Sequence, residues 1–476
     1  MNIFEKLKAL GFETVGDDFY TKNIDVWQKW YEGKVNKFHT YKVYNGSSYV
    51  TCERYSTGMA KKVSEDWANL LLNEKVKVTL EGKQEQEFYD SVCKANNWEV
   101  KANESQEKKA ALGTVAYVYS VVGVPADAES GEITGTGDRI RIDYVTADDI
   151  IPLSWENGII NECAFCIDKT VKGKKYCYCQ VHHKNASGLY DIENYLFRND
   201  NSMLADVELS EVEGFENIPA TIHTGSDKRQ FVIDRLNIAN NSSMDNPMGI
   251  SVFANAIDQL RGVDIAYDSY VNEFVLGKKR IMVKPSALKD MDGNMAFDAN
   301  DVTFYVMPED AHDDSVIHEI DLSLRTDSHK TGIQDMLNML STKCGFGEQH
   351  YKFENGSIAT ATQIISENST LFRTIKKHEI ILEEVLIEAA RIILRLGNAY
   401  MGQSLDEDVE ISVDFDDSII EDKATDFARD SQMLSMGIIQ PYEFRMKWLN
   451  EDESTAKAAL PQMEQLVQDE IGADEA

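Results

Sequence analysis

From Ala361 to about Tyr400 the chain contains no proline, and at 1.5 Å per residue this stretch makes a helix roughly 60 Å long. Thr360-Ala-Thr-Gln363 opens it with the spacing of a capping box, in which side chains satisfy the orphan N–H groups of the first turn. Such a length exceeds the ordinary globular range and points to a coiled coil, a repeat or a helix serving a large assembly. Sustained heptads and internal repeats are absent, which leaves the assembly. Ile380, Ile381, Val385, Leu386, Ile392 and Ile393 fall on more than one side of the helix, so neighbouring subunits are expected to cover part of it.

Two helices precede it. Ser251 to Leu276 carries Phe253, Ala256, Ile257, Leu260, Val263, Tyr267, Tyr270, Val271 and Phe274 at the spacing of a buried stripe. Asp258, Arg261, Asp264 and Asp268 fall away from that stripe, and Gly277 occupies the position just past the end. The second helix is Asp327 to Lys343. Between them, Lys278-Lys279-Arg280 leads into a strand, Ile281–Val283, then a turn over Asp290–Asn294 and a strand from Val302 to Met307. Asp290, Asp292 and Asn294 do not make an EF-hand loop, because the glycine comes too early and no glutamate closes the site. The excursion ends acidic, at Glu309, Asp310, Asp313 and Asp314. After the second helix comes a glycine-punctuated loop, Gly345 to Ala359; loops of this length are uncommon unless functional.

The N-terminal half mixes helix and strand. Trp27, Trp30 and Tyr31 lie at helical spacing and anchor a helix to a core, or make an intersubunit contact. Lys61–Glu74 reads as a helix with Val63, Trp67, Leu70 and Leu71 inward, Val76–Leu80 as a strand, and Gln84–Asn96 as a helix. The apolar window Ala110–Ala126 is too short and too rich in glycine, valine and tyrosine to span a membrane, and reads as buried strand. Strands follow at Thr114–Val122 and Arg139–Tyr144, then a hairpin of Asn161–Thr170 and Lys174–His183 turning at Lys172-Gly173. Cys163, Cys166, Cys177, Cys179, His182 and His183 sit within its strands and not on zinc knuckles, so no metal site is expected. A strand over Gly188–Arg198 and an acidic connection, Asp206–Gly225, complete this half. Beyond the long helix, Val409–Phe415 alternates with Glu410, Ser412 and Asp414 outward and returns to the N-terminal sheet; helices follow at Glu421–Met436, Tyr442–Leu449 and Ser454–Ile471.

Lys and Arg number 48 against 81 Asp and Glu, a formal charge of −33. Such a surface repels a phosphate backbone, which rules out tight nonspecific DNA binding over the whole surface but not DNA sliding past. Seven cysteines in a chain of 476 residues do not make a disulfide framework. No secretory signal is visible at the start. Gly33-Lys34, Gly82-Lys83, Gly173-Lys174 and Gly277-Lys278 lack the rest of a phosphate-binding loop, and His378-Glu379 meets Leu382 where a zinc protease needs histidine. No enzyme is expected, and no cofactor.

Asn246-Pro-Met-Gly-Ile-Ser251 leading into the first helix, and Ala359-Thr-Ala-Thr-Gln-Ile-Ile-Ser-Glu-Asn368 opening the long one, resemble the portal proteins of tailed bacteriophages. Similarity is greatest to the branch found in long-tailed phages of Gram-positive bacteria. Trp27-Gln-Lys-Trp-Tyr-Glu-Gly33 and the stretch from Asp417 to Pro441 resemble that branch's terminal segments, in matching order. The resemblance implies an α+β portal fold: a mixed α/β wing at 1–250, a stem helix at 251–276, a small α/β clip at 277–324 and a second stem helix at 325–344. It continues with a tunnel loop at 345–360, a long kinked lumenal helix at 361–403, a returning wing strand at 404–424 and crown helices at 425–476. Glu348, Gln349, His350, Tyr351, Lys352 and Phe353 would face DNA. Lys278, Lys279, Arg280, Asp310, Asp313 and Asp314 would meet partners at the clip, and Asn368, Ser369 and Thr370 would carry the kink. Implied partners are further copies of the chain (a dodecamer), double-stranded DNA, the large terminase subunit, scaffolding and major capsid proteins, and head-completion adaptor proteins, with no membrane. Two other readings stay open: a capsid-internal structural or scaffolding protein without a channel, and an acidic hydrolase with a carboxylate-lined cleft.

Overall fold

The computed structural model describes residues 2–16, 18–73, 76–125, 131–200, 203–278, 280–284, 304–306, 317–320, 323–353, 361–415, 423–449 and 451–460. Helices α1 (Ile3–Ala9), α2 (Asp25–Tyr31) and α3 (Asn36–His39) come first, followed by a hairpin of β1 (Thr40–Tyr44) and β2 (Tyr49–Glu53). Next are α4 (Met59–Leu71), β3 (Lys77–Leu80), α5 (Lys83–Ala95), α6 (Trp98–Leu112), β4 (Thr114–Val122) and β5 (Arg139–Thr146). A meander follows: β6 (Ile150–Glu156), β7 (Ile159–Val171), β8 (Lys174–Lys184), β9 (Tyr190–Asp200) and β10 (Met203–Val207), then β11 (Thr221–His223) and β12 (Phe231–Arg235). Helix α7 (Ile257–Leu276) leads to β13 (Arg280–Val283), β14 (Phe304–Val306) and β15 (Ile317–Ile320), and then to α8 (Thr326–Lys343). Last come α9 (Ala361–Met401), β16 (Ile411–Asp414), α10 (Lys423–Ser435), α11 (Pro441–Leu449) and α12 (Glu453–Ala458). The chain divides into Met1–Phe415 and Asp416–Ala476.

Among the described residues, helices accompany sheets whose pairings are antiparallel except that of β13 with β14, consistent with the α+β expectation. The meander pairs in the order β10-β9-β8-β7-β6, with β11 also on β9. Two of its tight turns follow from left-handed dipeptides, Asn157-Gly158 (φ 51 and 78°) and Lys172-Gly173 (φ 48 and 78°), whose twist suits a two-residue hairpin loop. Cys166 and Cys179 are direct cross-strand partners in this sheet. Among the described residues no group of His, Cys, Asp and Glu has the arrangement of a metal site. A second sheet orders β12-β4-β5, and β16 pairs with β3 from Ile411↔Leu80 to Asp414↔Lys77, the return to the N-terminal half that the alternation of 409–415 predicts.

Trp27 and Trp30 are buried in one core with Phe19, Trp67 and Phe253. A second core gathers around α9, where Val385, Leu386, Ala389, Ile392, Ile393 and Leu396 are all buried. The helix is apolar all round here because its own chain surrounds it: α5, β4, β12 and β16 all pack against it. Val385, Leu386, Ile392 and Ile393 are thus covered within the chain itself, whereas Ile380 is exposed at 57% and Ile381 is half-buried, the part of the surface left for a neighbouring subunit to cover.

Four readings are corrected. Helix α7 begins at Ile257 and not at Ser251, because residues 251–256 form turns and a single 3-10 turn at Ala254–Ala256. Gly277 is the C-cap with φ −77°, so it does not adopt the left-handed conformation. What crowds a side chain there is the backbone carbonyl oxygen of Glu273, 2.6 Å from where a Cβ would stand. Asp264 and Asp268 are buried, not outward. Thr57 donates to Asp264 Oδ1 through its N–H (2.8 Å) and its hydroxyl (2.6 Å), His39 Nε2 lies 3.0 Å from Asp264 Oδ2, and Tyr55 N–H donates to Asp268 Oδ1 at 3.2 Å. Those donors offset the cost of burying carboxylates and strap the segment after β2 onto α7. Finally, the window from Ala110 is strand only from Thr114; its first residues end α6, a helix the apolar pattern does not signal.

Candidate functional site

The segment Asn246–Ser251 is a junction built by close backbone approach. A Cβ on Gly249 would stand 2.3 Å from the carbonyl oxygen of Gly113, the residue that ends α6 with φ 89°. Gly249 N–H donates to Thr114 Oγ1 (2.9 Å) and Val252 N–H to the Ala110 carbonyl (2.9 Å), while Asn246 Oδ1 accepts from Met248 N–H (2.9 Å). The motif thus seats the entry to α7 on the end of α6.

At the far end of α7, Glu273 accepts from Arg325 Nε (3.0 Å), Nη2 (2.8 Å) and backbone N–H (3.0 Å), with His329 Nε2 at 3.3 Å. Donation by the Arg325 side chain and backbone lowers the Glu273 carboxyl to about 2. The two ends of the 277–324 excursion are therefore tied together where it leaves α7 and re-enters α8. Within it β13 pairs parallel to β14 and antiparallel to β15; the strand at Ile317–Ile320 escapes the sequence reading. Lys278 is exposed, and Arg280 is half-buried with its guanidinium 6.0 Å from the Tyr305 ring. Lys279, Asp310, Asp313, Asp314 and the Asp290–Asn294 turn lie outside the described residues.

Beyond α8 the loop turns back on itself. Gly345, Gly347 and Gln349 all have left-handed φ (86, 96 and 62°), which reverses the chain within five residues. Phe346 is buried against Trp67 (centroids 5.0 Å) and stacks on His350 at 4.3 Å; Trp67 Nε1 donates to the Cys344 carbonyl at 2.9 Å. Tyr351 hydroxyl donates to Asp66 Oδ2 at 3.0 Å, His350 Nε2 lies 3.8 Å from the same oxygen, and Lys62 Nζ reaches Oδ1 at 2.6 Å. Desolvation pushes the Asp66 carboxyl up, but donation from His350, Lys62 and Tyr351 outweighs it and leaves the group below its ordinary value. Burial, and then Asp66, push the Tyr351 phenol well above its ordinary range. Gln334, on α8, donates from Nε2 to the Tyr351 carbonyl (2.8 Å) and accepts from Phe353 N–H through Oε1 (2.8 Å). Of the six residues expected to face DNA, Glu348, Gln349, His350 and Lys352 are exposed, whereas Tyr351 and Phe353 are half-buried. Residues 354–360, with the capping residue Thr360, lie outside the described part.

Helix α9 runs unbroken from Ala361 to Met401. The side chains of Asn368 and Ser369 lie outside the described residues, and Thr370 is exposed. A hydroxyl that bonds back along the helix is that of Thr374, which donates to the Thr370 carbonyl at 3.1 Å.

In the Asp416–Ala476 unit, Phe427, Phe444 and Trp448 form one aromatic cluster. Asp430 accepts from Lys447 Nζ (2.7 Å) and Trp448 Nε1 (3.2 Å). Asp452 caps α12.

A groove between α4, β3, α5 and α6 carries Asp90, Glu99 and Glu104 among its lining residues. Lys101 Nζ donates to Glu104 at 2.7 Å and lowers its pKa, the wrong direction for a general acid. No described helix is long and apolar enough to cross a membrane.

Among curated proteins nothing matches this chain. Of the solved structures that resemble it, one is a chain of the neck of a native GTA particle computed with C12 symmetry. The two share 10% identity over 81% of this chain and 88% of that one, with a TM-score of 0.39, too loose a likeness to rest anything on. The family described as phage portal protein, SPP1 Gp6-like, matches residues 16–470. With nearly its whole length so matched, this chain belongs to the phage portal protein family.

Proposed function

We propose that twelve copies of this chain close into a ring at one capsid vertex, and that the phage genome enters, is retained and leaves through the ring's channel. The observation that carries this reading is the family match from residue 16 to residue 470. Segment 277–324 is the outward clip, meeting the large terminase subunit during packaging and head-completion adaptor proteins afterwards. The loop 345–360 faces the channel, the helices after 424 form the crown inside the capsid, and scaffolding and major capsid proteins surround the ring as it assembles in the host cytoplasm. The resemblance to the branch from long-tailed phages of Gram-positive bacteria belongs to the same reading.

Charge supports a conduit. A formal −33 per chain holds a duplex weakly, which suits passage better than a grip would. The exposed Lys352 adds one phosphate contact per subunit, too few to trap DNA among so many acids. Replacing Lys352 by Glu, or deleting a few residues from 354–360, should leave rings and capsids intact while packaged DNA falls. Full heads in both variants would remove the loop from the channel; loss of the ring would make it an assembly contact instead.

A further inference from the structure

We propose that Asp66 and Gln334 are positioning residues for the channel loop: they clamp residues 346–353 onto α4 and α8, so that Lys352 is presented from a fixed saddle. This rests on the reading that the loop faces the channel.

The path of the backbone is the starting point. A loop that simply continued α8 would leave the helix at Lys343. Here the chain doubles back, and Phe353 N–H reaches the side chain of Gln334. Gln334 precedes Lys343 by nine residues, so the chain has returned about 13 Å along the helix it left. Phe353 also meets the Tyr270 ring of α7 edge-on at 5.9 Å. Phe353 therefore lies on the flank of the α7–α8 pair.

Two side chains fix this path. The Gln334 carboxamide takes one backbone acceptor and one backbone donor of the loop, Tyr351 C=O and Phe353 N–H, the way a neighbouring strand would. Asp66, its side chain only 17% exposed, takes the Tyr351 hydroxyl and sits beside His350, while Lys62 on its own helix holds its other oxygen. Trp67, the next residue of α4, covers Phe346 and ties the Cys344 carbonyl. A half-buried polar backbone left without those partners would take water and let the segment lift. The clamp thus turns residues 346–353 into a fixed saddle that presents Lys352 on its exposed side.

The test uses full-length rings of Gln334→Ala, Asp66→Ala, Asp66→Asn and Tyr351→Phe, with Lys352→Glu alongside. Hydrogen exchange of peptides covering 346–353 should quicken about five- to tenfold in Gln334→Ala and Asp66→Ala, while peptides from 382–396 keep their protection. Packaged DNA should fall in the same two variants. Asp66→Asn, which keeps an acceptor for Tyr351, should recover most of both, and Tyr351→Phe, which removes one hydroxyl and little else, should reproduce the Asp66→Ala exchange if that variant fails to assemble. Unchanged exchange in intact rings would overturn the clamp. Faster exchange with wild-type packaging, while Lys352→Glu still blocks packaging, would show a working loop that needs no positioning. Normal packaging in Lys352→Glu would sink the channel role first and the positioning claim with it.

Discussion

Gly249→Ala is the substitution whose cost can be worked most directly from the backbone. Its added methyl would stand 2.3 Å from Gly113 O, 2.9 Å from Arg235 Cβ and 3.2 Å from Gly113 C, and the first of these is backbone that no rotamer change can move. Relief needs the two chains to separate by about 1 Å, since ordinary carbon–oxygen contact begins near 3.2 Å. That separation stretches Gly249 N–H···Thr114 Oγ1 and Val252 N–H···Ala110 O, both 2.9 Å. Overpacking costs about 1–3 kcal/mol and two weakened hydrogen bonds about 0.5–1 kcal/mol each, so the loss should be about 3 kcal/mol. Gly113→Ala meets the backbone across the same contact, Gly249 O and Ile250 C at 2.6 Å, and must also hold φ at 89°, which adds about 1–2 kcal/mol. The double variant should cost less than the sum, because one displacement relieves both clashes. Gly332→Ala, in α8 with nothing within 4 Å in the protomer, is the control and should be neutral or stabilising by up to about 1 kcal/mol. Urea unfolding at fixed protein concentration, followed by tryptophan fluorescence, reads all four. A Gly249→Ala midpoint equal to wild type would refute the close-approach account of Asn246–Ser251.

Two further outcomes are expected. Lys109 and Asp234 form an ion pair at 2.9 Å, both almost wholly buried, with Gln106 Nε2 donating to Asp234 at 2.7 Å. Lys109→Met should cost about 3–5 kcal/mol by leaving a buried carboxylate unpaired, and adding Asp234→Leu should recover much of it; urea midpoints that drop further in the double variant would contradict this. His182 and His378 are pushed down to about 3, in each case chiefly by burial, with His183 adding at His182 and Lys109 and Lys377 at His378. Because their folded pKa values lie below the unfolded value near 6.5, the unfolded chain binds more protons below that pH. Stability should fall as pH drops from about 6.5 to 5, by up to ~1.4 kcal/mol per unit for each histidine. His182→Phe should flatten that slope by about one proton, and an identical slope would show that His182 is not buried neutral.

The sequence discloses elements whose burial follows a period and hides those whose burial does not. α8 and α9 fall within a residue of their expected bounds because apolar spacing and missing prolines mark them. The 159–184 hairpin and the β16 return are legible from turn residues and alternation. α6 is hidden because the side chains it buries include Gln106 and Lys109, both of which donate to Asp234, a distant partner that no local pattern announces. Asp264 and Asp268 mislead for the same reason: their donors come from residues 39–57, over two hundred positions away. At the loop, glycine spacing and length make the segment a candidate, but the proposed clamp depends on Asp66, 285 positions from Tyr351. Nothing in residues 345–353 alone says that they fold back.

Electron cryomicroscopy of the purified full-length protein tests the central claim most directly. The account predicts closed rings with a central channel, the 277–324 segment at one end, and Lys352 of every subunit facing the lumen from a saddle held by Asp66 and Gln334. Monomers at every protein and salt concentration, or rings with Lys352 turned to the outer wall, would contradict it.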